Sequence, residues 1–221
     1  MGEKKVIGLT GLYAAGKNHV ALLLEKRGIP VLDVDVLGHK VIEAERDLII
    51  ERFGEDITGE DEKIDRKLLG RKVFGNTREL KALEDIVHPA VNRETLAWIN
   101  DRNEGACVIN AALLHLSSAA EMLDAVLIVE APFITRLLRA RRRDKLPWRA
   151  LLKRFLSQKK CKYQFYSGKT DIYRVSNSLN CSIPLCCNPG DCADSGSKGA
   201  ARQKAKLEIR IDEILSLMGL M

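Results

Sequence analysis

Unbroken apolar runs of strand length recur along this chain, and between them apolar residues fall at helical spacing. Val6-Ile7-Gly8-Leu9-Thr10 is the first such run and ends in a glycine loop, after which Val20 to Leu24 continue with helix formers as far as Gly28. Ile29-Pro30-Val31-Leu32 predicts a second strand ending at Asp33-Val34-Asp35, so that a first βαβ unit carries two carboxylates at its carboxyl end. The stretch 36–103 reads as helical, with Leu48 to Phe53, Leu68 to Phe74, Leu80 to Val87 and Val91 to Ile99 as separate apolar segments. Ala106 to Ile109 and Ala125 to Val129 are continuous apolar runs, the pattern of strands covered on both faces of a parallel sheet. After Pro132 a basic helical stretch runs through Lys162, Asp171 to Val175 predicts a last short strand, and Ala205 to Met218 a closing helix with Leu207, Ile211, Ile214 and Leu215 on one face. The stretch from Cys181 to Gly199 has no periodicity and reads as an irregular loop.

Composition narrows the function classes. A chain of 221 residues with 46% hydrophobic content can bury one substantial core. The net charge of +6 points to an anionic partner, either a phosphorylated small molecule or a nucleic acid. Trp148 is the one aromatic between Phe133 and Phe155 in the basic stretch, which gives poor support to a single-strand stacking platform, and no nucleic-acid partner is expected. No apolar run approaches the ~20 residues of a membrane span, and no signal-peptide core follows Met1, so a cytoplasmic location is expected. Cys181, Cys186, Cys187 and Cys192 lack a C-x-x-C pair, so reduced thiols rather than a structural metal are expected.

The chemistry lies in Gly11-Leu12-Tyr13-Ala14-Ala15-Gly16-Lys17-Asn18, which fits the phosphate-loop pattern G-x-x-x-x-G-K-[ST] at every fixed position but the last. Backbone N–H groups of such a loop converge on phosphate oxygens at a helix N-terminus, and the lysine reaches the β- and γ-phosphates. A nucleotide is therefore the expected ligand, held by Gly11, Ala14, Ala15, Gly16, Lys17, Asn18 and His19. Mg²⁺ accompanies it, and Asn18 stands where a hydroxyl ligand belongs; its amide oxygen either meets the ion directly or acts through a water.

Ile7 to Asn18, Val31 to Asp35, Glu51 to Gly54, Ile64 to Arg66, His88-Pro89 and Arg139 to Asp144 stand in an ordered series that resembles the dephospho-CoA kinase family over nearly the whole chain. The resemblance implies an α/β P-loop kinase fold: a five-stranded parallel sheet flanked by helices, with a helical acceptor-binding insert and a helical lid. It divides the chain into a core of 5–35, 104–132, 170–180 and 200–221, an insert of about 36–103, a lid of about 133–165 and the irregular loop 181–199. It implies transfer of the γ-phosphoryl group of ATP to the ribose 3′-hydroxyl of dephospho-CoA, with another small-molecule or nucleoside monophosphate kinase, or a catalytically weakened nucleotide-binding protein, as the alternatives.

The resemblance assigns the catalytic base to Asp35, and the end of a strand beside the phosphate-loop strand suits that role because α/β sheets bind ligands there. By strand alternation Asp33 turns to the other side and is expected to cap or orient. Lys17, Arg139 and Arg143 are the expected charge stabilisers; Arg136, Arg139 and Arg143 fall on one helical face, and Arg154 and Gln158 follow on the next helix. His39 stands at an arginine position of the family and, with Asp35 and with His88 between two helices, is expected at the acceptor. The family's strand-end V-P-L-L-x-E is replaced by Asn110 to His115, which exchanges a carboxylate for His115.

Overall fold

The computed structural model describes residues 4–102, 105–112, 114, 117–157, 170–177 and 198–220. Five parallel strands, β1 (Lys5–Gly11), β2 (Val31–Asp33), β3 (Ala106–Asn110), β4 (Ala125–Glu130) and β5 (Asp171–Ser176), lie in the order β2-β3-β1-β4-β5. The centre belongs to β1 because both its faces are apolar and covered. Ile7 and Leu9 face a cluster with Leu23 and Leu24 of helix α1 (Lys17–Glu25) and Ile211 and Ile214 of helix α8 (Lys198–Leu217). Val6 faces the opposite cluster, with Cys107, Ile109 and Val126. From β1 the chain first builds one side of the sheet, β2 and β3, and then crosses to the other, β4 and β5, so the crevice at the carboxyl end of β1 is the switch point at which such sheets bind ligands.

Four helices, α2 (Val34–Ala44), α3 (Arg46–Phe53), α4 (Arg66–Val73) and α5 (Thr77–Asn100), intervene between β2 and β3 and build a separate core around Ile49, Phe53, Ile57, Leu69 and Val73. Helices α6 (Phe133–Asp144) and α7 (Trp148–Ser157) follow β4 and share a small cluster of Ala140, Leu151 and Phe155.

Three boundaries differ from the sequence expectation. The second strand stops at Asp33, whose carboxylate accepts from the N–H groups of Asp35 (3.0 Å) and Val36 (3.2 Å) and starts α2 there. Strand alternation therefore does not set the direction of Asp35, which sits in the first turn of a helix. His88 is not between two helices: α5 is continuous through Pro89. Both residues lie on its exposed side, where water can bond the carbonyl that the missing proline N–H leaves. The basic stretch after Pro132 is two helices, because Lys145 adopts a left-handed conformation (φ 52°) just ahead of Pro147. Of the expected irregular loop, residues 181–197 lie outside the described residues, as do Gln158 and His115, whereas Lys198 and Gly199 already belong to α8, which starts ahead of the expected Ala205.

Gly8 marks how closely β1 is covered: a Cβ there would stand 2.4 Å from Leu114 Cδ2 and 2.9 Å from Leu123 Cδ1. Gly8→Ala is expected to lower unfolding stability by about 1–3 kcal/mol through overpacking, measured as a shifted urea midpoint with an unchanged denaturant slope.

Candidate active site

The phosphate loop joins β1 to α1 at the switch point, and its conformation is set from behind. Arg139 Nη1 and Asn177 Nδ2 both donate to the carbonyl oxygen of Ala15, each at 3.0 Å, and Arg136 Nη1 donates to that of Tyr13 at 3.4 Å. The peptide planes are trans, so a carbonyl turned toward these donors turns the next N–H the opposite way. The N–H groups of Ala14 and Gly16 are thereby presented on the face away from α6. Asn177, the residue after β5, is fully buried and tied to the sheet by its N–H on Glu130 O at 2.7 Å. Its own orientation is fixed because its carbonyl and Oδ1 accept from Arg139 Nη2 at 3.2 and 3.4 Å.

Only glycine fits at residue 16, where φ is 93° and a Cβ would lie 2.2 Å from Asn177 Nδ2. Ala14 also holds a positive φ of 59°, a strained choice of the kind found at ligand clamps. The N-terminus of α1 has no side-chain cap and no acidic residue in its first turn. Its N–H groups and its dipole are thus available to an anion.

Lys17 opens α1. Its Nζ is buried and lies 3.5 Å from Asp35 Oδ2, too far for a strong hydrogen bond. Burial pushes its pKa below the ordinary lysine value, against the pull of Asp35 and Asp33. A buried ammonium so poorly paired is costly, and phosphate oxygens are the acceptors that would relieve it. Asp35 itself is mostly exposed.

Beside this pair a chain of side chains crosses the crevice. Asn110, at the end of β3 and almost wholly buried, donates through Nδ2 to Asp33 Oδ2 at 3.1 Å and reaches Asn18 Oδ1 at 3.5 Å. Both amide hydrogens being used on oxygens, the Asn18 carboxamide is held oxygen-inward. Asn110 Oδ1 is buried with no partner among the described residues. The donors gathered here are all oxygens, which suits a hard cation such as Mg²⁺.

A family model described as dephospho-CoA kinase matches residues 5–170. The chain belongs to the dephospho-CoA kinase family. A dephospho-CoA kinase of Shouchella clausii is 38% identical over 146 residues, covering 63% of this chain and 74% of that protein. One of Aggregatibacter actinomycetemcomitans is 30% identical over 182 residues, covering 81% and 87%. Among solved structures, TT1252 from Thermus thermophilus superimposes with a TM-score of 0.66 at 26% identity, covering 92% of this chain and 95% of that one. The dephospho-CoA kinase of Campylobacter jejuni, at 23% identity and a TM-score of 0.61 over 96% and 97% of the two chains, shares the fold.

Within this family member, His39 lines a cleft of about 420 Å³ between α2 and the segment before α4, together with Lys40, Glu43, Ile64 and Arg66. His88, on the exposed side of α5, is not among the residues lining it. His19 follows Asn18 in α1; burial, with Lys204, Lys26 and Arg139 nearby, pushes its pKa down. Arg143 bonds Asp144, with Nε 2.7 Å from Oδ1, and lies over the Tyr13 ring, while Arg139 is engaged behind the loop. Sequence reasoning gave no role to Asn110, Asn177 or Tyr13. A polar residue ending an apolar strand at the switch point is the signal that could have found the first two.

Asn177→Ala should cost about 1–3 kcal/mol by leaving its buried partners short of bonds. It should also weaken binding of a non-hydrolysable ATP analogue, since the peptide that presents Gly16 N–H is then held by Arg139 alone. Urea unfolding and calorimetric titration measure the two effects, and unaltered nucleotide affinity would show that the clamp does not act on the cradle.

Proposed function

We propose that this protein transfers the γ-phosphoryl group of ATP to the ribose 3′-hydroxyl of dephospho-CoA, giving CoA and ADP. The observation that carries the reading is the meeting of Lys17 and Asp35, 3.5 Å apart at the switch point, inside a chain of this family. Lys17 and the forward N–H groups of the loop bind the β- and γ-phosphates. Asp35 accepts the proton of the 3′-hydroxyl as that oxygen bonds to the γ-phosphorus and the bond to the β,γ-bridging oxygen breaks, with ADP as the leaving group. Asp35 sits in the first turn of α2, exposed at the mouth of the crevice and 3.5 Å from Lys17 Nζ.

Asn18, through Oδ1, is the residue that would hold Mg²⁺, with Asp33 oriented beside it by Asn110. A cation held there would neutralise charge on the β- and γ-phosphates. Arg143 supplies positive charge to the transferring group; Arg139 acts on the same step by fixing the loop peptide. Acceptor recognition belongs to the helical insert of about 36–103, where the cleft lined by His39 offers the cations of Lys40 and Arg66 to a phosphorylated acceptor. His88 is assigned to the outer margin of that site. Closure belongs to α6 and α7, within a lid of about 133–165. Among the described residues no helix is long and apolar enough to cross a membrane. A cytoplasmic location is part of the proposal and rests on its water-soluble substrates.

Coupled ADP release with dephospho-CoA, set against AMP, shikimate and buffer, tests the acceptor, and preference for any other of these would overturn it. Lys17→Ala is expected to lower kcat/KM by about 100-fold or more with the fold intact by circular dichroism. Asp35→Asn should lower kcat by a similar order while the KM for ATP moves less than about threefold. A greater loss in Asp33→Asn would transfer the role of base to that residue. Asn18→Ser, which replaces an amide by a compact hydroxyl, should tighten the Mg²⁺ requirement for binding of the ATP analogue by about fivefold, roughly 1 kcal/mol. A weaker requirement in the serine variant would make Asn18 and Asn110 a matched pair adapted to this site.

A further inference from the structure

The loop motif leaves its second variable position, Tyr13, unconstrained, yet that side chain reaches from the phosphate loop to both α6 and α7. Its hydroxyl donates to Asp144 Oδ2 and accepts from Arg154 Nη1 at 3.5 Å. Asp144, whose side chain is only 17% exposed, also takes Arg143 Nε at 2.7 Å on Oδ1 and Arg143 Nη2 at 3.3 Å on Oδ2, with Arg154 Nη1 3.7 Å away. The Tyr13 ring carries the Arg143 guanidinium 5.2 Å from its centroid and meets Phe155 edge-on at 5.3 Å. One phenol thus touches the two arginines, one from each helix, and the carboxylate that orients them.

We propose that Tyr13 is a positioning residue for phosphoryl transfer: its hydroxyl pins Asp144 to the phosphate loop and so holds the Arg143 and Arg154 guanidiniums at the loop that carries the transferring group. The inference deepens the function proposed above and rests on it. Packing alone would need only the ring, since Phe155 and the cluster of Ala140 and Leu151 offer apolar contacts that phenylalanine would satisfy. The hydroxyl adds a neutral donor to a largely buried carboxylate already shared by two cations. That donor comes from the loop rather than from the helices, so the geometry of the arginine pair is referred to the phosphates. Guanidinium donors stabilise the charge that spreads over the transferring group only if they are in place before it develops.

The test is Tyr13→Phe, which keeps the ring. kcat is expected to fall about tenfold while the KM for ATP changes less than about threefold, the split of an interaction used in the transition state. Independently of turnover, hydrogen exchange in 133–157 is expected to slow by about fivefold when a non-hydrolysable ATP analogue binds the wild-type protein, and this protection is lost in the variant. A kcat within about twofold of wild type, or equal protection of both helices in the two proteins, overturns the proposal. Should wild-type protein fail to phosphorylate dephospho-CoA, the acceptor reading falls, and the exchange comparison still decides whether Tyr13 couples the loop to the helices.

Discussion

A peptide plane has two sides, and the phosphate loop depends on which side is held. A trans amide cannot present its N–H forward unless the preceding carbonyl goes back, and a buried carbonyl sent back must find donors. Here Arg139, Asn177 and Arg136 supply them, from helix α6 and from the residue just beyond β5. The left-handed Gly16, the absence of a side-chain cap on α1 and the position of Lys17 all follow from a loop turned this way. The cradle is therefore a property of three chain segments far apart in sequence, not of the glycine-rich stretch alone.

The same dependence decides what the arginines of α6 do. On a helical wheel, Arg136, Arg139 and Arg143 form a single cationic face. In three dimensions they divide: Arg136 and Arg139 bond loop carbonyls, while Arg143 joins Asp144 and the Tyr13 ring. A guanidinium has five donors in a fixed fork, so one can serve a carbonyl behind the loop only by giving up reach in front of it. A lysine row would have left that division undefined.

The crevice also shows how a neutral amide, Asn18, can stand where the phosphate-loop pattern has a hydroxyl. Asn18, Asn110 and Asp33 are linked so that the single carboxylate is tied by an amide and by two backbone N–H groups. Burying a second carboxylate at Asn110, 3.1 Å from Asp33, would set like charges against each other in a shielded site, and an amide avoids that cost. The amide also fixes which end of Asn18 faces inward, something a hydroxyl does not require.

Much of this was written locally in the sequence. Runs such as Val6 to Thr10 and Ala125 to Val129 carry the pattern of strands covered on both sides, and a glycine loop followed by lysine at a helix start carries that of a phosphate loop, because the side-chain period and the φ limits act within a few residues. The family resemblance carried in Ile7 to Asn18, Val31 to Asp35 and Arg139 to Asp144 placed the fold and the reaction class on the same local signals. Other features were not legible. That Asp33 ends its strand and caps α2, and that α5 runs on through Pro89, depended on packing that outweighs the local preference for alternation and for a break. The partners of Tyr13, Asn110 and Asn177 lie 131, 77 and 162 residues away along the chain. No local pattern encodes a hydrogen bond at such separations; only the closing of the sheet, which brings the ends of β3, β1, β4 and β5 side by side, decides it.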